Sequence, residues 1–281
     1  MLCGKNFLMR NSCKRWSYAS ATVIFFVALL LDVKLMIVQE MRVQLKLVVA
    51  VLFLSLFSVA KAQTQVEYHH IVGKYFYEEL KEGHLPANLV TIQHLSSDKW
   101  GSNFLFVDMN MGDGNLQNAY TQIHRYTKFW KAPIYILTQY NGGLARGSET
   151  AFNHSYLGGV AWKYSDVARQ TYLGVNMAYR YDQGWAKPHN MTLHTTWSWS
   201  SWNRVFTLCG FGTLSTQNLE GVKSGVNFLA EPQFWVNLNQ FVGVHDDFNL
   251  SLGTEVKVSY SMLAPDKFYV LPTVGLKWTF K

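Results

Sequence analysis

Apolar and polar residues alternate along much of the chain. The clearest run covers 171–181, where Leu173, Val175 and Met177 share one face and Asn176 lies on the other. Side chains of a β-strand point alternately to its two faces, whereas a helical pattern repeats every 3.6 residues. The alternation therefore predicts a β-strand with one apolar and one polar face.

The same pattern recurs in further segments separated by turn-rich pieces. Four clear runs lie at 190–199, 226–238, 248–260 and 268–280. Less regular runs lie at 66–78, 88–95, 99–109, 119–128, 133–140, 155–164 and 203–214. Helical periodicity is scarce, so we expect an all-β domain of about twelve strands.

The clear runs are too long for an ordinary soluble β-sheet. They extend over ten to thirteen residues, whereas strands of globular proteins have about 5–6 and tilted membrane strands about 9–11. We therefore predict a single transmembrane antiparallel up-and-down β-barrel. Aromatic residues near the ends of the apolar faces are typical of the girdles of such barrels: Tyr179, Tyr181, Trp197, Trp199, Tyr260, Trp278 and Phe280.

The opposite faces of these strands are too polar for the core of a β-sandwich. An unpaired charge buried in such a core costs several kcal/mol, whereas a water-containing lumen accommodates it. Three rings could stack on a solute, and the polar groups could bind it, although these charges could equally pair across the lumen and hold its shape. The predicted lumen residues are Tyr172, Asn176, Arg180, His194, Glu231, Trp235, Asn237, Glu255, Lys257, Tyr269 and Lys277.

A secretory signal peptide is predicted at 41–62. It has a basic start at Arg42, an apolar run at 47–59 that is too short to span a bilayer, and a small-residue cleavage site at 60–62. The barrel is expected to occupy 63–281. A short buried helix is the alternative interpretation of the apolar run.

The forty residues that precede the predicted signal peptide contain a second short apolar run, at 21–31. Signal peptides begin near the initiator methionine. We therefore interpret 1–40 as an upstream over-extension of the gene model, with translation starting at Met41. A membrane anchor is the alternative.

The predicted leader changes the charge argument. The whole chain has 25 basic and 18 acidic side chains and a formal net charge of +7. The first 62 residues hold 8 of the basic and 2 of the acidic ones, so 17 and 16 remain in the predicted barrel. This nearly neutral balance gives no support to nucleic-acid binding.

Five stretches of the chain carry a resemblance to a known family: SDKWGSNFLFVDMN (97–110), KFWKAPIYILTQYNGG (128–143), EPQFWVNLNQF (231–241), DDFNLSLGTEV (246–256) and PTVGLKWTF (272–280). They resemble a family of Gram-negative outer-membrane barrels related to the nucleoside-specific channel-forming proteins. The resemblance implies a monomeric barrel of about twelve strands that passes small polar solutes, with nucleosides among them. The final strand resembles the signal that the outer-membrane assembly machinery reads, although Lys281 follows the terminal aromatic.

Signals for other chemistry are weak. His69 and His70 are adjacent, so on a strand they point to opposite faces and cannot bind one metal together; we expect a solvated terminus there and no metal site. His194 and Ser198 share a face but lie about 13 Å apart along a strand, beyond hydrogen-bond reach. We therefore expect no cofactor and no enzymatic activity.

The leading interpretation is a channel in the outer membrane of a Gram-negative bacterium. Its expected partners are outer-membrane lipid, the barrel-assembly machinery and a small polar solute, without nucleic acid. Three alternatives remain open. They are a non-conducting structural or interaction barrel, an outer-membrane hydrolase, and a soluble lipocalin-like barrel.

Overall fold

Twelve antiparallel strands close into one barrel in the computed structural model. Each strand pairs with its neighbours along the chain, and β12 pairs with β1, which confirms the predicted fold class. The strands are β1 (Ala62–Ile71), β2 (Asn88–Asp98), β3 (Gly101–Gly112), β4 (Asn115–Thr127), β5 (Ile134–Ala145), β6 (Ser155–Asp166), β7 (Thr171–Asp182), β8 (His189–Ser200), β9 (Phe206–Thr216), β10 (Val226–Asn237), β11 (Leu250–Tyr260) and β12 (Phe268–Phe280).

The structure describes residues 62–81, 85–112, 115–145, 152–217 and 225–280. The predictions for 1–40 and for the signal peptide lie outside the described residues, except that Ala62 is the first residue of β1. Among the described residues, no helix combines the length and the apolar character needed to cross a membrane.

Strand register places the apolar faces outside and the polar faces inside. In β12, Val274 and Leu276 are 63% and 44% exposed, whereas Thr273 and Lys277, on either side of them, are buried. Residues paired across neighbouring strands share a face, so this assignment extends around the barrel. Both faces of the five clear runs are as the sequence predicts.

β4 alternates poorly in sequence because its two faces contain the same kinds of residue. Its inner face carries Tyr120, His124 and Tyr126, while Arg125 on its outer face binds Asp98 at the end of β2, with Nη1 and Oδ2 2.8 Å apart. The packing of aromatic residues inside the barrel thus removes the apolar–polar contrast on which the pattern depends.

The two rims of the barrel differ in the lengths of their connections. Rim A contains the start of β1 and the end of β12. Rim B contains the β1–β2 connection, the longest in the barrel. The connections at rim A are 99–100, 128–133, 167–170, 201–205 and 238–249, and those at rim B are 72–87, 113–114, 146–154, 183–188, 217–225 and 261–267.

The β1–β2 connection packs against the inner face of β12. It contains a 3₁₀ turn (Val72–Phe76) and the short helix α1 (Glu78–Lys81). The ring of Tyr77 meets that of Tyr269 edge-on with 5.0 Å between centroids, and the Val270 N–H donates to the Tyr77 hydroxyl (3.0 Å). This connection therefore covers one sector of the rim B opening.

Candidate functional site in the barrel lumen

All eleven predicted lumen residues lie on the inner face of the barrel. Register shows this directly: Asn176 pairs with His194, and Lys277 with Ser251. Their exposure differs, however. Trp235 and Tyr269 are 0% and 1% exposed, whereas Tyr172, Arg180, His194, Asn237 and Lys257 are partly exposed. Contact with a solute stays a prediction for the whole set.

A charged cluster occupies one wall of the lumen. Lys257 Nζ of β11 lies 2.8 Å from Glu231 Oε1 of β10. The amide of Gln233 donates from Nε2 to Glu255 (2.8 Å) and to Glu67 of β1 (3.1 Å). The charged cluster comprises Glu67, His69, Asp108, Glu231, Gln233, Glu255, Lys257 and Lys277, drawn from β1, β3, β10, β11 and β12.

His69 is fully buried within this cluster, so our expectation of a solvated terminus was wrong. Its Nε2 lies 3.2 Å from Glu67 Oε2, and its Nδ1 lies 2.9 Å from the hydroxyl of Thr273. The Glu255 backbone N–H also donates to that hydroxyl (3.0 Å). The imidazole is therefore held at both nitrogens and faces two carboxylates.

Trp235 packs against the charged cluster. The ammonium of Lys277 lies 4.2 Å from the centroid of its indole ring, and the indole N–H donates to Gln233 Oε1 (2.9 Å). A cation over an indole face is stabilised electrostatically, more so when water is excluded. These contacts fix the ring within the wall and leave it inaccessible to a solute in this structure.

A second polar group surrounds Asp182 near rim B. Its carboxylate accepts hydrogen bonds from Arg180 Nε (2.9 Å), Asn190 Nδ2 (2.7 Å) and Ser155 Oγ (2.6 Å). Arg180 also donates to the backbone carbonyl of Thr216 (3.2 Å). Arg180 therefore links β7 to β9 at the mouth of the lumen, which fits a structural role as well as contact with solutes.

The opposite wall carries histidines and tyrosines. Asn176 Nδ2 donates to the Tyr126 hydroxyl (3.1 Å), which also lies 3.1 Å from His124 Nδ1. Lys163 Nζ lies 3.2 Å from the centroid of the Tyr126 ring. These residues come from β4, β6 and β7, so their side chains tie separated strands together inside the barrel.

Two apolar groups fill further sectors of the lumen. One contains Tyr126, Leu137, Leu157, Ala161 and Ala178 from β4 to β7. The other contains Ile71, Leu89, Tyr269 and Leu271, against which Tyr77 and Leu80 of the β1–β2 connection pack. The lumen is therefore partly occupied by the protein's own side chains.

Side chains from separated strands approach one another inside the lumen. The rings of His124 and His194, on strands four apart, lie 6.4 Å apart, and Phe211 packs 5.6 Å from His194. We define the constriction as Asp108, Gln122, His194, Phe211 and Lys257, all of which are inner-facing and partly exposed.

The predicted girdle residues all lie on the outer face. Tyr179, Tyr181 and Tyr260 are near rim B, and the rings of Trp278 and Phe280 stack near rim A with 6.3 Å between centroids. Trp197 and Trp199 also lie near rim A. Residues at both heights continue the pattern around the barrel: Tyr140 and Tyr156 near rim B, and Trp162, Tyr164, Phe206, Phe234 and Phe248 near rim A.

Sequence reasoning missed the inner-facing residues of the less regular strands. Glu67, His69, Asp108, His124 and Lys163 belong to β1, β3, β4 and β6. Three of them carried a usable signal, since Glu67, Asp108 and Lys163 are each flanked on both sides by apolar or aromatic residues. The pairing of β1 with β12, which brings Glu67 towards Glu255, could not be read from any local pattern.

No curated protein matches the chain. Among solved structures, it is similar to the NanC porin, with a TM-score of 0.49 and 10% identity, over 76% of this chain and 98% of the porin. The KdgM porin in complex with disordered oligogalacturonate gives a TM-score of 0.45 and 9% identity, over 78% and 99%.

A protein family is also matched, over residues 62–280, which include all twelve strands. Its description is "Domain of unknown function (DUF5020)". The match covers more than half of the chain, and the chain therefore belongs to the DUF5020 family.

Proposed function

We propose that this protein is an outer-membrane channel for small hydrophilic solutes. The observation that carries the proposal is the constriction, where charged and polar side chains face the lumen and stay partly exposed. Pore-lining charges set which solutes pass. Asp108 supplies a negative charge and Lys257 a positive charge there, as a pore for neutral or zwitterionic polar solutes would require.

The outer surface supports a membrane location. Apolar side chains face outward along every strand, with aromatic residues near both rims, as in outer-membrane barrels. Closure of the sheet leaves no open strand edge among the described strands, which a bilayer requires. The shorter connections at rim A support an orientation in which rim A faces the periplasm.

Conductance in planar bilayers tests the channel directly. We expect small single-channel currents, because the apolar groups and the β1–β2 connection occupy part of the lumen. The sample must be folded, as shown by heat-modifiable migration on gels. Folded protein that gives no conductance at any voltage would refute the channel.

Widening the constriction sharpens this test. His194→Ala combined with Phe211→Ala removes two rings from the constriction without removing a charge, so we expect conductance to rise severalfold. Trp199→Ala removes a ring from the outer face and serves as the control, with conductance unchanged. An unchanged conductance in the double variant would place the permeation path elsewhere.

A non-conducting barrel is the second candidate, and the filled lumen favours it. The charged cluster contains buried residues, and both apolar groups are buried, so the protein's own side chains fill much of the interior. If the unmodified protein is silent while the widened variant conducts, the barrel is structural and its own side chains close it. Conduction by both proteins rejects this candidate.

The finer proposal is that nucleosides are among the solutes. It rests on the resemblance to nucleoside-specific channels and on Tyr172, a partly exposed ring on which a base could stack for about 1–3 kcal/mol. Partial block of the current by nucleosides, but not by sugars or amino acids, is expected. The variants Tyr172→Ala, Arg180→Ala and Glu231→Ala test single residues. If nucleosides block a variant as strongly as they block the unmodified protein, the substituted residue does not belong to the binding site.

Export and assembly complete the proposal. The predicted signal peptide at 41–62 would direct the chain to the periplasm, and β12 would be read by the assembly machinery, yielding a monomer. Phe280→Ala is expected to lower the yield of heat-modifiable protein in the outer membrane more than Thr279→Ala does. Equal yields would exclude a role for the terminal aromatic, and crosslinked dimers would exclude the monomer.

A further inference from the structure

Glu67, His69 and Glu255 form the most unusual group in the charged cluster. One carboxylate oxygen or ring nitrogen from each lies within 4.8 Å of the others. The three residues are 1%, 0% and 4% exposed. They come from β1 and β11, on either side of β12, so the group spans the seam at which the barrel closes.

Two oxygens in this group have no partner. Glu67 Oε1 and Glu255 Oε1 are buried and accept no hydrogen bond from any described residue. A buried carboxylate oxygen without a donor costs several kcal/mol. The other oxygens of the same carboxylates are bridged by the amide of Gln233. Gln233 thus holds the two carboxylates side by side and leaves their free oxygens to a further ligand.

The charge balance indicates the sign of that ligand. The charged cluster contains four carboxylates, from Glu67, Asp108, Glu231 and Glu255, but only two ammonium groups, from Lys257 and Lys277. Lys257 is engaged by Glu231 and Lys277 by the ring of Trp235. If all four carboxylates are ionised and His69 is neutral, two negative charges remain uncompensated, which is the charge of one divalent cation.

The imidazole is oriented as a metal ligand. Metal-bound histidines usually donate their second ring N–H to an oxygen, which fixes the ring. His69 Nδ1 faces the Thr273 hydroxyl, and Nε2 faces Glu67. If Nδ1 carries the proton and donates it to Thr273, the lone pair of Nε2 points at the Glu67 carboxylate and the two repel each other. A cation between Nε2 and the carboxylate would bind both and remove this repulsion.

We propose that Glu67, His69 and Glu255 bind one divalent transition-metal ion, with zinc as its best probe. One imidazole and two carboxylates suit Zn²⁺, whereas Mg²⁺ and Ca²⁺ prefer all-oxygen sites. Zinc ligands at about 2.1 Å lie about 3.4 Å from one another, so rotation of the glutamate side chains closes the site. The ion joins β1 to β11 across the seam.

Metal analysis of purified protein in detergent tests this site independently of conduction. After chelator treatment and exposure to Zn²⁺ in millimolar Mg²⁺, we expect one zinc per chain and a higher unfolding temperature. His69→Gln and Glu255→Gln should each weaken binding by more than about 100-fold, because loss of an outer partner alone costs about 10–100-fold.

His124→Gln is the matched control, since His124 is also inner-facing and 3% exposed but lies on the opposite wall. It should bind zinc as the unmodified protein does. Equal loss of zinc in all three variants, or no loss in any, overturns the site. Each variant is compared only as folded, heat-modifiable protein.

X-ray absorption at the zinc edge supplies a test that needs no variant. The unmodified protein should show a first shell of oxygen and nitrogen with the outer scattering of one imidazole. A shell without imidazole, or with two or more, contradicts the proposal. So does zinc binding below one-tenth of an ion per chain.

Discussion

Trp235 illustrates how single residues stabilise the inside of this barrel. Its ring is 0% exposed and touches both Lys277 and Gln233. Replacing a buried tryptophan by alanine leaves a cavity and costs about 3–5 kcal/mol. We therefore expect Trp235→Ala to lower the free energy of unfolding in urea by that amount.

Trp199→Ala provides the comparison, because the same atoms are removed from a ring that is 44% exposed on the outer face. We expect Trp199→Ala to lower the free energy of unfolding by less than about 1 kcal/mol. Similar losses for the two variants would show that the lumen is wide and wet around Trp235, contrary to the packing described above.

At this scale the sequence predicted which side of each clear strand a residue occupies, but not its partners. Period-two alternation reports the face because the backbone alone sets it. Lys277 lies over the ring of Trp235 on β10, and His69 meets Thr273 on β12, about 40 and 200 residues away in sequence. Such pairs depend on strand order and shear, which no local pattern contains.

Among the elements, the β1–β2 connection is attached by an ion pair outside the strands. Glu79 Oε1 of α1 lies 3.0 Å from Lys267 Nζ in the β11–β12 turn. The backbone N–H of Glu79 and the Lys267 ammonium hold the pKa of this carboxyl below its usual range. The same partner raises the pKa of Lys267.

These shifts set the pH range in which the attachment persists. A lowered folded pKa contributes stability above the unfolded value of about 4.3, and this contribution is lost as the pH falls through the folded value. A lysine whose pKa is raised in the folded state contributes stability below the unfolded pKa of about 10.4. This contribution is lost as the pH rises through the folded pKa. The connection should therefore stay attached between these limits.

A nitroxide at Phe76→Cys, an exposed position of the same connection, should report its mobility. We expect constant mobility from about pH 5 to 9 and an increase in stronger acid. Lys267→Met should increase mobility at neutral pH, whereas Lys128→Met at rim A should not. Unchanged mobility in Lys267→Met would show that the apolar contacts of Tyr77 suffice for attachment.

β12 tests whether the outer face lies in lipid. Val274 is near the middle of the strand and 63% exposed, whereas Phe268 begins the strand at rim B and is 56% exposed. An arginine on the lipid face costs about 2–4 kcal/mol at the bilayer midplane and about 0–1 near the interface. Val274→Arg should therefore destabilise the barrel in vesicles much more than Phe268→Arg.

Urea titrations in lipid vesicles and in detergent measure this difference. The difference in the free energy of unfolding between the two variants should be smaller in detergent micelles, because micelles adapt to the charge. An equal cost at both positions in vesicles would contradict a transmembrane β12.

For the whole molecule, the two rims should face different compartments. Lys187 lies in the 183–188 connection of rim B and Lys131 in the 128–133 connection of rim A, and both are exposed. In a Cys209→Ser background, an impermeant maleimide added to intact cells should label Lys187→Cys and spare Lys131→Cys. The reverse result would invert the proposed orientation, and labelling of both would exclude the membrane location.

The overall architecture was largely predictable because a membrane barrel imposes a repetitive pattern. Long strands, alternation and terminal aromatic residues each follow from the bilayer. The degree of filling of the lumen was not predictable. Leu157 and Ala178 look like any inner-facing residues in sequence, and their packing against Tyr126 depends on how far across the barrel each side chain reaches.

The seam between β1 and β12 has a consequence for the order of events during biogenesis. His69 meets Thr273 at a separation of 204 residues. β1 therefore cannot pair with β12 until almost the whole barrel has been translated. Until then both edges stay unpaired, and Glu67 and Glu255 have no common site. The barrel is therefore closed late, in a single final step, and a chain that lacked β12 would keep the edges of β1 and β11 unpaired.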